Sequence, residues 1–222
     1  MESRTLITAH SGCLDSGPNT VESVRLGLVR GGDFSEVDVR LTSDGEVILW
    51  HDKEIGTKNH GTFRINGISY KKLKELESED ELILKHEKAE ITLLSEALDS
   101  LKNVEGKLNL DIKDDFSIPV LTEIVRSKNF THRVVVSGCK KISAAYFKTS
   151  YPDFQVLLNA DTRGLEQKGR ENPEEIQAIC DEAALSSCCG INIEYKYCTP
   201  LLVDMAKKSF LPVSVWTIND SE

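Results

Sequence analysis

Glu36 and Asp38 stand two residues apart in Ser35-Glu36-Val37-Asp38-Val39-Arg40, and His51-Asp52 follows after a short turn. Val37, Val39 and Leu41 alternate with Glu36, Asp38 and Arg40, the period-two pattern of a strand. On a strand the two carboxylates point the same way, roughly 7 Å apart at the base, and can converge on one ion. His10 closes Leu6-Ile7-Thr8-Ala9, and Asp111 and Lys113 share one face of Leu108-Asn109-Leu110-Asp111-Ile112-Lys113. Together Glu36, Asp38 and Asp111 make an oxygen-rich site for a hard cation, Mg²⁺ or Ca²⁺. His10 and His51, placed beside that ion, can divide the work of general acid and general base. The set suits hydrolysis or internal displacement at a phosphodiester, with the ion and Lys113 offsetting charge on the non-bridging oxygens. Singly, each residue has a plainer reading, as a hydrogen-bonded strand-end histidine or a solvated acid pair. The joint pattern singles them out; His60, His86 and His132 read as structural.

These side chains need elements to position them. The sequence predicts strands at 6–10, 35–41, 47–50, 107–112, 133–137, 154–158, 190–195 and 212–218. A first helix starts at Asn19 or Thr20, sets Val21, Val24 and Leu28 on one face, and stops at Gly31-Gly32. Further helices fit 69–77, 93–101, 119–127, 143–150, 173–184 and 200–208. Strand–helix alternation of this kind implies a parallel sheet or barrel, in which catalytic groups gather at the carboxyl ends of strands. The link Ser43-Asp44-Gly45 is too short for a parallel crossover, so the strand at 47–50 reads as the return arm of a hairpin. The fold class expected is α/β, a (β/α)8 TIM barrel. It forms one domain, 1–222, with a polar insertion at about 53–90.

Composition narrows the function. The formal net charge of the 222 residues is -9 and there is no lysine and arginine run, which argues against a nucleic-acid partner. The amino terminus enters a short strand without a long apolar region, and no apolar run approaches the ~20 residues of a membrane span. The six cysteines form no CxxC pair and read as reduced, structural thiols of a cytoplasmic protein.

Several elements together carry a family resemblance. They are His10-Ser11-Gly12, Asn19-Thr20, Glu36-Val37-Asp38-Val39, Thr42-Ser43-Asp44-Gly45, His51-Asp52, Leu108-Asn109-Leu110-Asp111-Ile112-Lys113 and Val215-Trp216-Thr217-Ile218-Asn219. The set resembles the glycerophosphodiester phosphodiesterases over nearly the whole chain. The resemblance implies a metal-dependent TIM barrel that hydrolyses deacylated phospholipids to glycerol 3-phosphate and an alcohol. It implies Glu36, Asp38 and Asp111 as ligands of Mg²⁺ or Ca²⁺, and His10 and His51 as the acid/base pair. Lys113 becomes a phosphate-side cation, Trp216 a wall of the site, and Ser11 a substrate contact.

The chain departs from that pattern in places. The family usually has arginine where Ser11 stands and glutamate where Pro18 stands, so a bidentate phosphate contact is replaced by a hydroxyl. Asp111 stands where glutamate is commoner and reaches one methylene less far. The sequence stops at Ser221-Glu222, short of a final helix and eighth strand. That stop suits a fragment, an open barrel, or a homo-oligomer whose partner covers the exposed edge. Two alternatives stay open at this point. One is a related phosphodiesterase, of lysophospholipase D type or making a cyclic phosphate. The other is a degenerate barrel that binds a ligand without turnover.

Overall fold

The computed structural model describes residues 4–11 and 13–219. Gly12 of the first motif, and Ser221-Glu222 at the end, lie outside the described residues. The chain divides into two compact units, Met1–Val134 and Val135–Glu222.

The first unit is built on β2 (Phe34–Leu41). β1 (Thr8–Ala9) runs parallel to its first residues, pairing Thr8 with Phe34 and Ala9 with Ser35. β3 (Val47–Leu49) folds back antiparallel on its last residues, pairing Val39 with Leu49 and Leu41 with Val47, as the short turn requires. β8 (Lys107–Ile112) takes the opposite edge in parallel, from Phe34–Lys107 to Val39–Ile112. Between β1 and β2 runs α1 (Val21–Val29), capped by Thr20, whose side chain accepts from the Ser23 amide while Ser23 reciprocates. Its buried face carries Val24, Gly27 and Leu28. A Cβ at Gly27 would lie 2.6 Å from the Ala9 Cβ, so only glycine lets this helix sit so close to β1. Gly31, at φ +105, ends the helix region in a conformation other residues resist.

The stretch at 53–90, expected to be a polar insertion, has an interior of its own. β4 (Glu54–Thr57), β5 (Thr62–Arg64) and β6 (Leu82–Ile83) form a separate antiparallel sheet. α2 (Tyr70–Ser78), capped by Ser69, lies between β5 and β6 in the chain. Ile48, Ile55, Ile65, Ile68, Leu73, Leu76, Leu82 and Ile91 pack together as one core. These apolar residues are scattered among charges at no single period, which is why a sequence window sees only polarity. The unit is completed by β7 (Thr92–Leu93), which pairs antiparallel with β3, and by α3 (Leu94–Ser100) and α4 (Ile118–Ser127).

The second unit holds four parallel strands: β9, which spans Val134–Ser137, β10 (Gln155–Asn159), β11 (Gly190–Glu194) and β12 (Val213–Trp216). They alternate with α5 (Lys141–Ser150), α6 (Arg163–Lys168), α7 (Pro173–Leu185) and α8 (Pro200–Lys208). Pro173 and Pro200 stand at the first helical position behind the caps Asn172 and Thr199. Every element predicted from the sequence is present, with ends within two residues. α6 was not expected: its polar run Arg163-Gly164-Leu165-Glu166-Gln167-Lys168 buries only Leu165. The six cysteines are thiols, joined in no disulfide. Among the described residues no helix is long and apolar enough to cross a membrane.

Leu73 is fully buried in the insertion core. Leu73→Ala is expected to destabilise the protein by about 2–5 kcal/mol, read from the urea unfolding midpoint, as for a packed core leucine. A cost below about 1 kcal/mol would mean that the insertion is loosely packed after all.

Candidate active site

The parallel register of β2 with β8 sets Glu36 opposite Asn109 and Asp38 opposite Asp111. Residues two apart share a face, so these four side chains form two adjacent rows on one side of the sheet. Glu36, Asp38 and Asp111 each bring an oxygen within 4.8 Å of the others. Glu36 and Asp38 are buried, and two negative charges this close are costly without water. Burial pushes the Glu36 carboxyl up to about 8, with the charges of Asp38 and Asp111 adding to the rise. Burial likewise raises Asp111. Lys113, two residues beyond Asp111 and hence on the same face, sends its Nζ to 2.9 Å from Asp38 Oδ1 and 3.3 Å from Asp111 Oδ2. Burial alone lowers the Lys113 ammonium, but Asp111 and Asp38 outweigh it and the net shift is upward.

The loop after β1 closes over this face. His10 Nε2 lies 3.7 Å from Glu36 Oε2 with 61% of its side chain exposed, and the Ser11 amide donates to the same Glu36 oxygen at 3.2 Å. Asn19 holds Asp38 with both ends of its amide: Nδ2 donates to Asp38 Oδ2 at 2.8 Å, and Oδ1 accepts from the Asp38 amide at 2.8 Å. Thr20 is the helix cap, so Asn19 is free for this role; it adopts φ +60, which asparagine tolerates better than most residues. The Ser11 hydroxyl accepts the Asn19 amide. Ser11 therefore braces the residue that holds Asp38.

His51 follows β3 with 65% of its side chain exposed. Its Nδ1 lies 2.9 Å from Asp52 Oδ1, and Asp52 is in turn paired with Lys85 of the insertion. The Lys85 contact, with help from His51, holds the Asp52 carboxyl below its ordinary value. Arg40, buried, donates from Nε and Nη2 to the His51 carbonyl at 3.0 and 2.8 Å. His51 also lies within electrostatic reach of Asp111, where it opposes in small part the rise that burial causes.

Of the residues picked out by spacing, the structure gathers His10, Glu36, Asp38, Asp111 and Lys113 around one cluster, with His51 within reach, and it adds Ser11, which only the resemblance singled out. Trp216 belongs to the second unit, where it ends β12 and is 45% exposed. Asn19, Arg40 and Asp52 are additions. The signal for Arg40 is already in the period-two pattern that picks out Glu36 and Asp38. Asn19 carries no such signal, because its contact spans a helix and a loop.

The donor set fits a hard cation. All three carboxylate groups converge, a single ammonium stands against them, and the buried Asn109 Oδ1, in the row beside Glu36, has no hydrogen-bond partner. A buried amide oxygen without a donor is costly, and a cation is one way to satisfy it. Among the described residues this is the group of acidic, histidine and cysteine side chains placed to hold a metal.

The chain is similar to several known proteins. The glycerophosphodiester phosphodiesterase of Caldanaerobacter subterraneus subsp. tengcongensis is 24% identical over 99% of this chain and 88% of its own. The crystal structure of glycerophosphodiester phosphodiesterase from Thermotoga maritima superposes with a TM-score of 0.74 at 18% identity, covering 99% of this chain and 88% of that one. An Oleispira antarctica phosphodiesterase, solved with the product sn-glycerol 3-phosphate, gives 0.73 at 19% identity, covering 97% and 85%. These likenesses make the fold the (β/α)8 TIM barrel of the phosphodiesterase type that the family resemblance implied. The sequence matches the Glycerophosphoryl diester phosphodiesterase family over residues 10–222, a span that begins at the first histidine of the site and takes in every residue of the cluster, and the chain belongs to that family.

Proposed function

We propose that the protein hydrolyses small glycerophosphodiesters to glycerol 3-phosphate and an alcohol, dependent on Mg²⁺ or Ca²⁺ held by Glu36, Asp38 and Asp111. The observation that carries this reading is the buried carboxylate cluster with exposed histidines on its rim, in a chain of this family. When bound, the divalent ion supplies positive charge to the non-bridging phosphate oxygens. Asn19 and the Ser11 amide keep Asp38 and Glu36 oriented for it. Lys113, no longer alone against the carboxylates, is then available to the phosphate as a second positive charge. Asp52 fixes the orientation of His51: with Nδ1 turned to Asp52, Nε2 is the atom left to exchange a proton with substrate. In the hydrolysis one histidine takes the proton of the attacking water as the new P–O bond forms. The other gives a proton to the leaving alcohol oxygen as its P–O bond breaks. Trp216 is assigned to substrate by the resemblance. A cytoplasmic setting suits six cysteines that form no disulfide.

The test is release of glycerol 3-phosphate from glycerophosphocholine, glycerophosphoethanolamine, glycerophosphoglycerol and a lysophospholipid, with Mg²⁺, Ca²⁺ or chelator. Chelation is expected to abolish release, and His10→Ala or His51→Ala to lower kcat by about 10²–10⁴-fold. Release that survives chelation, or both substitutions, would falsify the proposed site. A cyclic phosphate among the products would assign internal displacement in place of hydrolysis.

A second expectation concerns pH. In the fold Glu36 binds its proton up to about 8, against an ordinary value of 4.5. The folded, metal-free protein therefore holds a proton that the unfolded chain has lost between these values. The contribution of Glu36 to stability is full below the lower value and is lost as pH rises to about 8. In chelator, thermal stability should fall across this window, and Glu36→Gln should flatten the fall. Because proton and ion compete for Glu36, added Mg²⁺ or Ca²⁺ should raise Tm more at the upper end than at the lower. An equal rise at both ends would mean that Glu36 is not a ligand.

A further inference from the structure

Arg40 lies on the face of β2 that carries Glu36 and Asp38, two residues beyond Asp38, and it is buried. Its guanidinium makes a fork between two backbone carbonyls. Nε and Nη2 donate to the His51 oxygen at 3.0 and 2.8 Å, and Nη1 donates to the Lys113 oxygen at 3.3 Å. The two carbonyls belong to the histidine proposed to move a proton and to the lysine placed against the carboxylates. Asp114 backs the fork: its Oδ2 lies 3.9 Å from Nη1, while its carboxylate also accepts the Leu41 amide at 3.3 Å and the Ser117 amide at 3.0 Å.

This arrangement solves a positional problem. His51 follows the end of β3 in a segment with neither helix nor strand, and its side chain is exposed. The Asp52 contact steadies the ring, but Asp52 is one residue away and is itself held by Lys85, whose side chain is 84% exposed. An exposed pair of this kind restrains little. The buried fork restrains more, because a guanidinium is planar and presents its donors in a fixed geometry, and charge-assisted bonds in a dry setting are strong. It ties His51 and Lys113 to the strand that carries Glu36 and Asp38, so the proton-moving group and the cation share a frame with the metal ligands.

We propose that Arg40 is a positioning residue for the reaction, setting His51 and Lys113 over the carboxylates through their backbone carbonyls. Arg40 touches no reacting atom; its effect runs through the two residues it holds. A shift of about 1 Å in a reacting group is enough to cost about 100-fold in rate. The proposal rests on the functional reading above for its kinetic consequence, but the tether itself is a property of the fold.

The test compares wild type with Arg40→Lys, which keeps a cation but not the fork, and with Arg40→Met, which keeps the stem but not the charge. Each is measured for Tm, for Mg²⁺ affinity by calorimetry, for kcat and KM, and for the imidazole resonances of His51. Arg40→Lys is expected to fold, to keep Mg²⁺ affinity within about threefold, and to lose about 10–100-fold in kcat with KM little changed. Its His51 resonances should broaden or shift while those of His132 stay in place. Guanidinium ion at sub-denaturing concentration should restore part of the kcat of Arg40→Met; acetamide, which lacks the charge, should not. Wild-type kcat in Arg40→Lys overturns the proposal, and so does a loss of rate that only follows the loss of folded protein or of Mg²⁺ affinity. Should wild type release nothing from any diester, the functional reading fails, and the tether is then decided by the His51 resonances alone.

Discussion

The parallel register of β2 against β8 is the constraint on which the site depends. It sets Asp38 directly opposite Asp111 and Glu36 opposite Asn109, so side chains more than 70 residues apart in sequence occupy neighbouring positions on one pleat. Sheet geometry makes this arrangement all-or-none. A slip of one residue would turn every inward side chain of one strand to the other face, separating the carboxylates and burying charge among Val37, Val39 and Leu110. The apolar face of β2 therefore specifies the register, and the register specifies the site.

That register brings together charges that repel, and the surrounding residues can be understood as answers to the cost. Glu36 accepts the Ser11 amide, the Asp38 carboxylate accepts Asn19 Nδ2 while the Asp38 amide donates to Asn19 Oδ1, and Lys113 stands between Asp38 and Asp111. These contacts offset the repulsion only in part, since the Glu36 carboxyl still rises to about 8 and the Asn109 oxygen still lacks a donor. A stable fold that bears this strain at one place and keeps a packed core elsewhere is the arrangement expected of a site built for a ligand of opposite charge.

How much of this was legible in the sequence follows from which contacts are local. The Glu36/Asp38 pair, the Asp111/Lys113 pair and the hairpin at Gly45 all follow from alternation or a turn within a few residues, and sequence reading recovers them. The start of α1 was narrowed to two residues, and capping by Thr20 leaves Asn19 for Asp38. The core of the insertion was hidden because Ile55, Ile65, Leu73, Leu82 and Ile91 come from separate short elements and show no common period. Arg40 was visible as a same-face residue, but its partners are backbone carbonyls, and a sequence carries no mark of which carbonyl a side chain will reach.

Ser11 shows how a single position changes meaning between sequence and structure. Set against the family pattern, it is a missing arginine and so a weakened grip on phosphate. In the fold its hydroxyl accepts the Asn19 amide, which belongs to the residue that clamps Asp38. An arginine at this position could not accept that amide, and a buried N–H left without an acceptor costs about 1–3 kcal/mol. The serine, on the proposed reading, supports the metal side of the site in exchange for a phosphate contact. On the proposed reading, the positive charge that phosphate needs comes from Lys113 and the bound cation. Lys113 is committed to Asp38 and Asp111 until a stronger positive charge takes them over. Cation first and diester second is therefore the order that the electrostatics of this chain favour.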